Sequence, residues 1–214
     1  LYSSAASDVY KRQVYKVKPG NSKYVDVNKD GVYNDADQGI IGCGQPTFNW
    51  GWNNTFNYKN FDFSFFVVGF HGFDIYNATH QMGYNLIKSQ QMAGVTPMRE
   101  LLNRWTPTNT NTDIPGFVKG GTENKDFFST RFVENGSFIK MKSITLGYTL
   151  PEATCRSLGI NNLRVYASVQ NPFHITKYSG LDPEATMGSP LVQGVDWGAY
   201  PNSRNYLIGL NFSF

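Results

Sequence analysis

The closing stretch, Arg204-Asn205-Tyr206-Leu207-Ile208-Gly209-Leu210-Asn211-Phe212-Ser213-Phe214, constrains the fold more than any other. Tyr206, Ile208, Leu210, Phe212 and Phe214 share one parity; Asn205, Leu207, Gly209, Asn211 and Ser213 share the other. A period of two with one apolar and one largely polar set is a strand with two different faces. Soluble domains usually finish on something frayed and polar. A transmembrane β-barrel has a reason to finish on an aromatic strand, because its last strand faces lipid and pairs so that no edge remains.

The rest of the chain is compatible with that expectation. Charged residues make up only 16% and aromatics 15%, with 21 glycines, a balance that suits pleated surfaces joined by turns. The net charge of +3 comes from scattered Lys and Arg, so a nucleic-acid partner has no electrostatic footprint. No stretch approaches the ~20 apolar residues of a transmembrane helix, and the longest apolar run is Phe65 to Phe70. Barrel strands need only about 9–11 residues of alternating character, which keeps mean hydropathy low.

Residues 1–13 (LYSSAASDVYKRQ) have no strand alternation, no basic leader and no apolar segment. They resemble translated sequencing adapter and are expected to be a non-native leader. The native part is then expected to start near Val14, as the back end of something longer. Residues 14–47 read as a loop carrying one dense motif. From Phe48 to Tyr58, Phe48, Trp50, Trp52, Phe56 and Tyr58 alternate with polar or small residues. Lys59-Asn60 makes a tight turn, and Phe61, Phe63, Phe65 and Val67 continue the pattern, forming a hairpin.

Residues 69–136 are long and irregular, with a short helix expected within Met82 to Trp105. Ser137 to Leu150 forms the third strand. Ile144, Leu146 and Tyr148 alternate cleanly there, whereas Ile139 and Met141 fall on the opposite parity. A β-bulge, or emergence of the strand above the lipid, accounts for the slip. A turn spans residues 151–162, the fourth strand alternates Leu163, Val165, Ala167 and Val169, and a second long loop spans 171–202.

Five strands result, with connections alternating short and long, as in bacterial outer-membrane barrels. With residue 214 at the periplasmic end, Tyr58, Phe61, Tyr148, Phe212 and Phe214 gather at one interface, where an aromatic girdle is expected. A soluble β-sandwich would use the same aromatic face as a shared core, burying Phe61, Phe63 and Phe65. In a barrel, Cys43 lies outside the membrane and Cys155 beneath it, too far apart for a disulfide, which needs Cα atoms within ~7 Å.

One motif carries chemistry. Asp26-Val27-Asn28-Lys29-Asp30-Gly31-Val32-Tyr33-Asn34-Asp35-Ala36-Asp37 matches the twelve-position calcium loop D-x-N-x-D-G-x5-[D/E]. Asp26, Asn28 and Asp30 would converge on one ion, Gly31 permits the sharp turn, and the Val32 carbonyl adds a ligand. Asn34 would bind directly or through water, and Asp37 closes the shell with a shorter reach than the usual Glu. The expected cofactor is a structural Ca2+ that orders the loop. An Asx-turn-rich loop held by side-chain to backbone bonds is the alternative. The flanks are not helical, which excludes a paired EF-hand.

Nothing points to catalysis. His71, His80 and His174 lack ligand spacing, and no GxSxG, phosphate loop or glycosidase carboxylate pair stands out. Arg99, Arg104 and Arg131 read as solvated loop charges.

Lys18–Asp37, FDFSFF (61–66), G-x-x-G-x-D-I-Y-N (69–77), LNRWTPTNTNTDIP (102–115), SFIKMKSITLGYTLP (137–151), LRVYASVQNPFHITKYSGLDPE (163–184) and the aromatic terminus together resemble the C-terminal part of SusC/RagA-type TonB-dependent outer-membrane transporters. The resemblance runs in order through residues 14–214. It implies an all-β fold: the last five or so antiparallel strands of a large transmembrane barrel, an open curved sheet as a fragment, with long extracellular loops (48–214 being the barrel strands). It implies a cell outer membrane location in Bacteroidota, a SusD-like surface lipoprotein partner, TonB engagement through the missing N-terminal part, and import of oligosaccharide or peptide. Cys43 and Gly44 stand where the family tends to have Asn or Pro, and Pro172 replaces an apolar residue. The competing function is a soluble extracellular carbohydrate-binding sandwich with a calcium-ordered loop.

Overall fold

A computed structural model describes residues 2–3, 19–31, 35–84, 97–116, 129–187 and 193–213. The chain divides into two compact units. One comprises Leu1–Gly42, Tyr76–Val133 and Val195–Gly198; the other comprises Cys43–Ile75, Glu134–Gly194 and Ala199–Phe214.

The second unit is built on a five-stranded antiparallel sheet of β1 (Phe48–Tyr58), β2 (Phe61–His71), β3 (Phe138–Thr149), β4 (Asn162–Thr176) and β5 (Asn205–Ser213). The strands lie in chain order, each beside its sequence neighbour. Lys59 takes the left-handed conformation (φ 53°) that lets two residues reverse the chain between β1 and β2. Among the described residues β5 pairs with β4 alone, so the sheet is open with β5 on one edge. This is the expected arrangement, although residue 214 itself lies outside the described residues.

Register turns the alternation into two surfaces. Across the strands, Phe56 faces Phe63, Phe63 faces Leu146, Leu146 faces Ala167 and Ala167 faces Ile208. One step along, Thr55, Ser64, Thr145, Ser168 and Leu207 form the matching row on the other face. The apolar face is open: Phe61 is 51% exposed, Leu210 61% and Ile208 80%. A sandwich would have buried it. At the short-turn end, Tyr58, Phe61, Tyr148 and Val165 align in one row, and the Phe61 and Tyr148 rings lie 4.7 Å apart.

The parity conflict in the third strand is resolved by a bulge. On β3, Ser143 faces Phe66 and Gln170, but the next paired residue is Met141, facing Val67 and Phe173. Lys142 is the extra residue. Its insertion returns Ile139 and Met141 to the same face as Ile144, Leu146 and Tyr148. On β4 the same level skips Asn171 and Pro172, with Asn171 left-handed (φ 50°). A bulge is where a proline costs the ladder least, so the unusual Pro172 falls at a permitted place. The other departure is equally benign. Cys43 pairs with Asp74 through backbone groups, its N–H donating to Asp74 Oδ2 at 3.1 Å and its carbonyl accepting the Asp74 N–H at 2.7 Å.

β4 runs six residues further than expected, to Thr176, because its upper half keeps pairing with β3 through Ile175 and Ile139. The 151–162 turn contains a short helix, Glu152–Ser157, whose buried residue is Cys155. Both cysteines are free thiols. At the long-loop end Phe73, Ile75, Phe138 and Tyr178 form a small buried cluster, with Phe70 packed against it.

In the first unit, Tyr2–Ser3 pairs with Ser22–Lys23. A helix spans Ala78–Tyr84, earlier than the 82–105 expectation, and a 3-10 turn spans Arg99–Asn103. Residues 85–96 lie outside the described residues. The earlier start has a local cause. Asn77 Oδ1 accepts the His80 N–H at 2.8 Å, capping a helix start that apolar periodicity does not mark.

Deleting Lys142 should invert the parity of residues 138–141 and place Ile139 and Met141 among polar neighbours. The expected result is loss of heat-resistant folded species on semi-native gels, whereas Lys142→Ala, which keeps the residue count, retains them.

Candidate functional site

The calcium-type loop lies in the first unit. Lys29 (φ 61°) and Gly31 (φ 84°) make its sharp turn. Gly31 N–H donates to Asp26 Oδ2 at 2.8 Å, Asp30 N–H to Asn28 Oδ1 at 3.0 Å, and Val27 N–H to Asp37 Oδ1 at 2.8 Å. Asp37 is buried at the end of a 3-10 turn, Asp35–Asp37, so the first and last positions of the motif are tied together. Asp26 Oδ1 is buried and has no hydrogen-bond partner. Asp30 instead accepts from Asn28 Nδ2 at 2.9 Å. Among the described residues no group of three or more His, Cys, Asp or Glu converges on a metal position. Val32 and Asn34 lie outside the described residues.

On the polar face of the sheet, the Arg164 guanidinium grips the Asp62 carboxylate with Nε at 2.8 Å and Nη2 at 2.5 Å. The pair reaches across β3, and Gly147 is what makes room: a Cβ there would sit 2.4 Å from Asp62 Oδ1 and 2.5 Å from Arg164 Nη2. Arg164 also lies over the Tyr166 ring at 5.0 Å, and that ring covers Gly209, where a Cβ would meet it at 2.3 Å. Two glycines thus let charged and aromatic side chains lie flat across the neighbouring strands β3 and β5.

Sequence reasoning missed a second ionic cluster. Lys140 on β3 is 2% exposed, its Nζ 2.8 Å from Asp182 Oδ2 and 2.7 Å from Glu184 Oε2. Lys142, the bulge residue, reaches the other oxygen of Glu184. Asn202 closes the group, its N–H donating to Asp182 Oδ2 at 3.1 Å and its Nδ2 to Glu184 Oε2 at 2.9 Å. The loop after β4 is therefore clamped to the sheet at both ends. A Lys-x-Lys pair in a chain so poor in charge is the only signal that would have found it.

Burial alone would raise the Asp182 and Glu184 carboxyls. The Lys140 ammonium, joined by the Asn202 and Glu184 N–H groups for Asp182 and by Lys142 for Glu184, outweighs it and holds both below the ordinary carboxylate range.

Arg131, Arg104, His80 and His71 have structural partners. Arg131 Nη2 donates to the Asp113 carbonyl and its guanidinium lies 5.8 Å from the Tyr84 ring; Arg104 Nη1 donates to the Leu101 carbonyl at 3.3 Å. Arg99 is exposed. His80 Nε2 lies 3.4 Å from Glu100, which also accepts from the Tyr84 hydroxyl. Burial, then the Glu100 bond, pushes that hydroxyl up to about 12. His71 Nε2 accepts from Trp50 Nε1 at 3.1 Å. His174 is exposed.

Because both clamp carboxyls are depressed in the folded state, their contribution is present above the ordinary carboxylate pKa of about 4 and is lost as pH falls through the lower folded values. Hydrogen exchange across 177–187 and 193–204 should stay slow at neutral pH and accelerate only well below pH 4. Lys140→Ala, which strands two buried carboxylates at a cost of about 3–5 kcal/mol, should give fast exchange there already at pH 7.

No protein-family model matches the chain. The chain is 36% identical over 202 residues, 92% of its length, to TonB-dependent receptor P3 of Formosa agariphila. It is 32% identical over 217 residues, covering all of its length, to TonB-dependent receptor SusC of Bacteroides thetaiotaomicron. It spans 19% and 20% of these receptors, about one fifth of their length. Among solved structures it matches the RagAB peptide transporter (TM-score 0.66, 27% identity, 80% of this chain and 17% of that one). It also matches the closed-closed RagAB peptide importer (TM-score 0.69, 27% identity, 91% of this chain and 21% of that one). The open sheet, its two unlike faces and these matches agree: the chain belongs to the SusC/RagA group of TonB-dependent receptors, as a fragment of the barrel.

Proposed function

We propose that this chain supplies C-terminal wall strands of an outer-membrane importer that takes up oligosaccharides or peptides with a SusD-like surface lipoprotein. TonB-transmitted energy would enter through the N-terminal part of the parent receptor. The observation that carries the reading is the exposed apolar face, continuous in register through β1 to β5, backed by a polar face with its charges paired. Lipid on one side and a water-filled lumen on the other is the environment in which both faces are stable. The apolar face then meets outer-membrane lipid, and the long loops face the outside. Transport needs no catalytic constellation in this wall.

Calcium fits the 26–37 loop as a structural ion. Asp26 Oδ1 is an orphaned buried acceptor, a carboxylate oxygen without the partner such a group requires. Asp26, Asn28, Asp30, Val32, Asn34 and Asp37 would hold the ion. Calcium would neutralise the Asp26 and Asp30 carboxylates, and the turn at Lys29 and Gly31 supports the reading.

Two measurements check the reading. Tagged full-length receptor isolated from its host should bring down a surface lipoprotein, and deleting its gene should abolish growth on one member of a glycan and peptide panel. Isolation alone with unchanged growth on every source would sink the importer assignment. In isothermal titration of the full-length receptor, calcium heat should vanish in Asp26→Ala/Asp30→Ala; equal uptake by wild type and variant rejects the ion.

A further inference from the structure

β4 and β5 part company at Gln170 and Asn205, the last pair of their ladder. Above that point β4 continues to Thr176 while the chain leading into β5 turns away, with Asn171 Nδ2 donating to the Ser203 carbonyl at 3.1 Å across the fork. Between them lies a cavity of about 390 Å3. Phe173 and Tyr206 on its wall belong to the apolar face, opposite Met141 and Val169 respectively. Arg204 adds a cation, and His174, opposite Lys140, belongs to the polar face.

The charge balance of this cleft is one-sided. Asp182 lines it but is spent on Lys140 and the Asn202 N–H. Arg204 is exposed, and among the described residues no carboxylate on the cleft wall is left to pair with it.

Height decides what meets it. Phe212 sits in the last rows of the short-turn end, facing Leu163, and Arg204 is eight positions up the same strand direction (212 minus 204). At ~3.4 Å per residue that is about 27 Å of chain. A tilt of 35–45° reduces it to roughly 20 Å of height, against an apolar band about 25 Å tall. Arg204, the residue before β5 begins, therefore stands at most that high, toward the outer border of the lipid band and next to the top of the exposed column Tyr206, Ile208, Leu210 and Phe212.

We propose that this cleft binds the phosphorylated headgroup of an outer-leaflet lipid, with Arg204 on the phosphate and an acyl chain against Phe173 and Tyr206. The inference rests on the membrane reading above. Arg suits the role because its planar fork meets two phosphate oxygens at once.

The test uses full-length receptor in neutral detergent, with diphosphoryl lipid A added as the probe and retention read by native mass spectrometry. Semi-native gels run in parallel report whether the barrel is folded, so failure of the membrane reading shows there and not in the lipid signal. Wild type should retain lipid A, Arg204→Ala should retain about tenfold less, Arg204→Lys should fall between, and excess inorganic phosphate should not displace the lipid. Equal retention by folded wild type and Arg204→Ala overturns the proposal. So does displacement by inorganic phosphate alone, which would mark a free-anion site.

Discussion

Everything in this chain depends on a period of two being kept across five strands. In a wall with lipid on one side and water on the other, a one-residue slip moves every side chain of a strand to the wrong solvent. A single arginine on the lipid side costs about 2–4 kcal/mol at the midplane, so a slip of a whole strand is far more costly. The chain meets this constraint mostly through strict alternation. Where β3 breaks step, Lys142 is inserted as a bulge that restores phase for Ile139 and Met141. The same residue then serves the clamp, because bulging presents Lys142 toward Glu184 beside Lys140.

The polar face solves a different problem. Charges there are few, and those described on the strands are matched at contact distance: Asp62 with Arg164, and Lys140 with Asp182 and Glu184. Exposed ion pairs contribute little, but removing one partner of a buried pair is expensive. Lys140, at 2% exposure, is of the second kind. Its cluster explains why a long loop after β4 lies fixed against the sheet, since Asp182, Glu184 and Asn202 are all committed to it.

Much of this was legible in the sequence, and the limits have physical causes. Strand positions and the Lys59-Asn60 turn follow from alternation and turn chemistry, which are local; the parity slip in β3 is equally compatible with a bulge or with emergence above the lipid, and the open β5 edge follows from the family resemblance. β4 was read short because Asn171 and Pro172 interrupt the pattern; pairing with β3 beyond that interruption is a tertiary fact. Asp62 and Arg164 lie 102 positions apart, and Lys140 and Asp182 lie 42 apart, so no local spacing announces either pair. The helix at Ala78 escaped notice because its start is fixed by the Asn77 cap rather than by an apolar stripe. In the 26–37 loop, the Gly31 turn and the backbone N–H bonds accepted by Asp26, Asn28 and Asp37 are those of an Asx-turn-rich loop, which the run of Asp, Asn and Gly makes legible.

The central claim is that these strands form a membrane wall whose lipid face stays in phase through Lys142. Spin labels placed singly along β3 and β5 of the full-length receptor, in a background lacking Cys43 and Cys155, test it most directly through accessibility to oxygen and to a water-soluble nickel chelate. Labels at Tyr206, Ile208, Leu210 and Phe212, and at Ile139, Met141, Ile144, Leu146 and Tyr148, should favour oxygen. Labels at Leu207, Asn211, Ser143 and Thr145 should favour nickel. Uniform nickel access along β5, or oxygen preference at Ser143 and Thr145 in place of Met141 and Ile144, would contradict it.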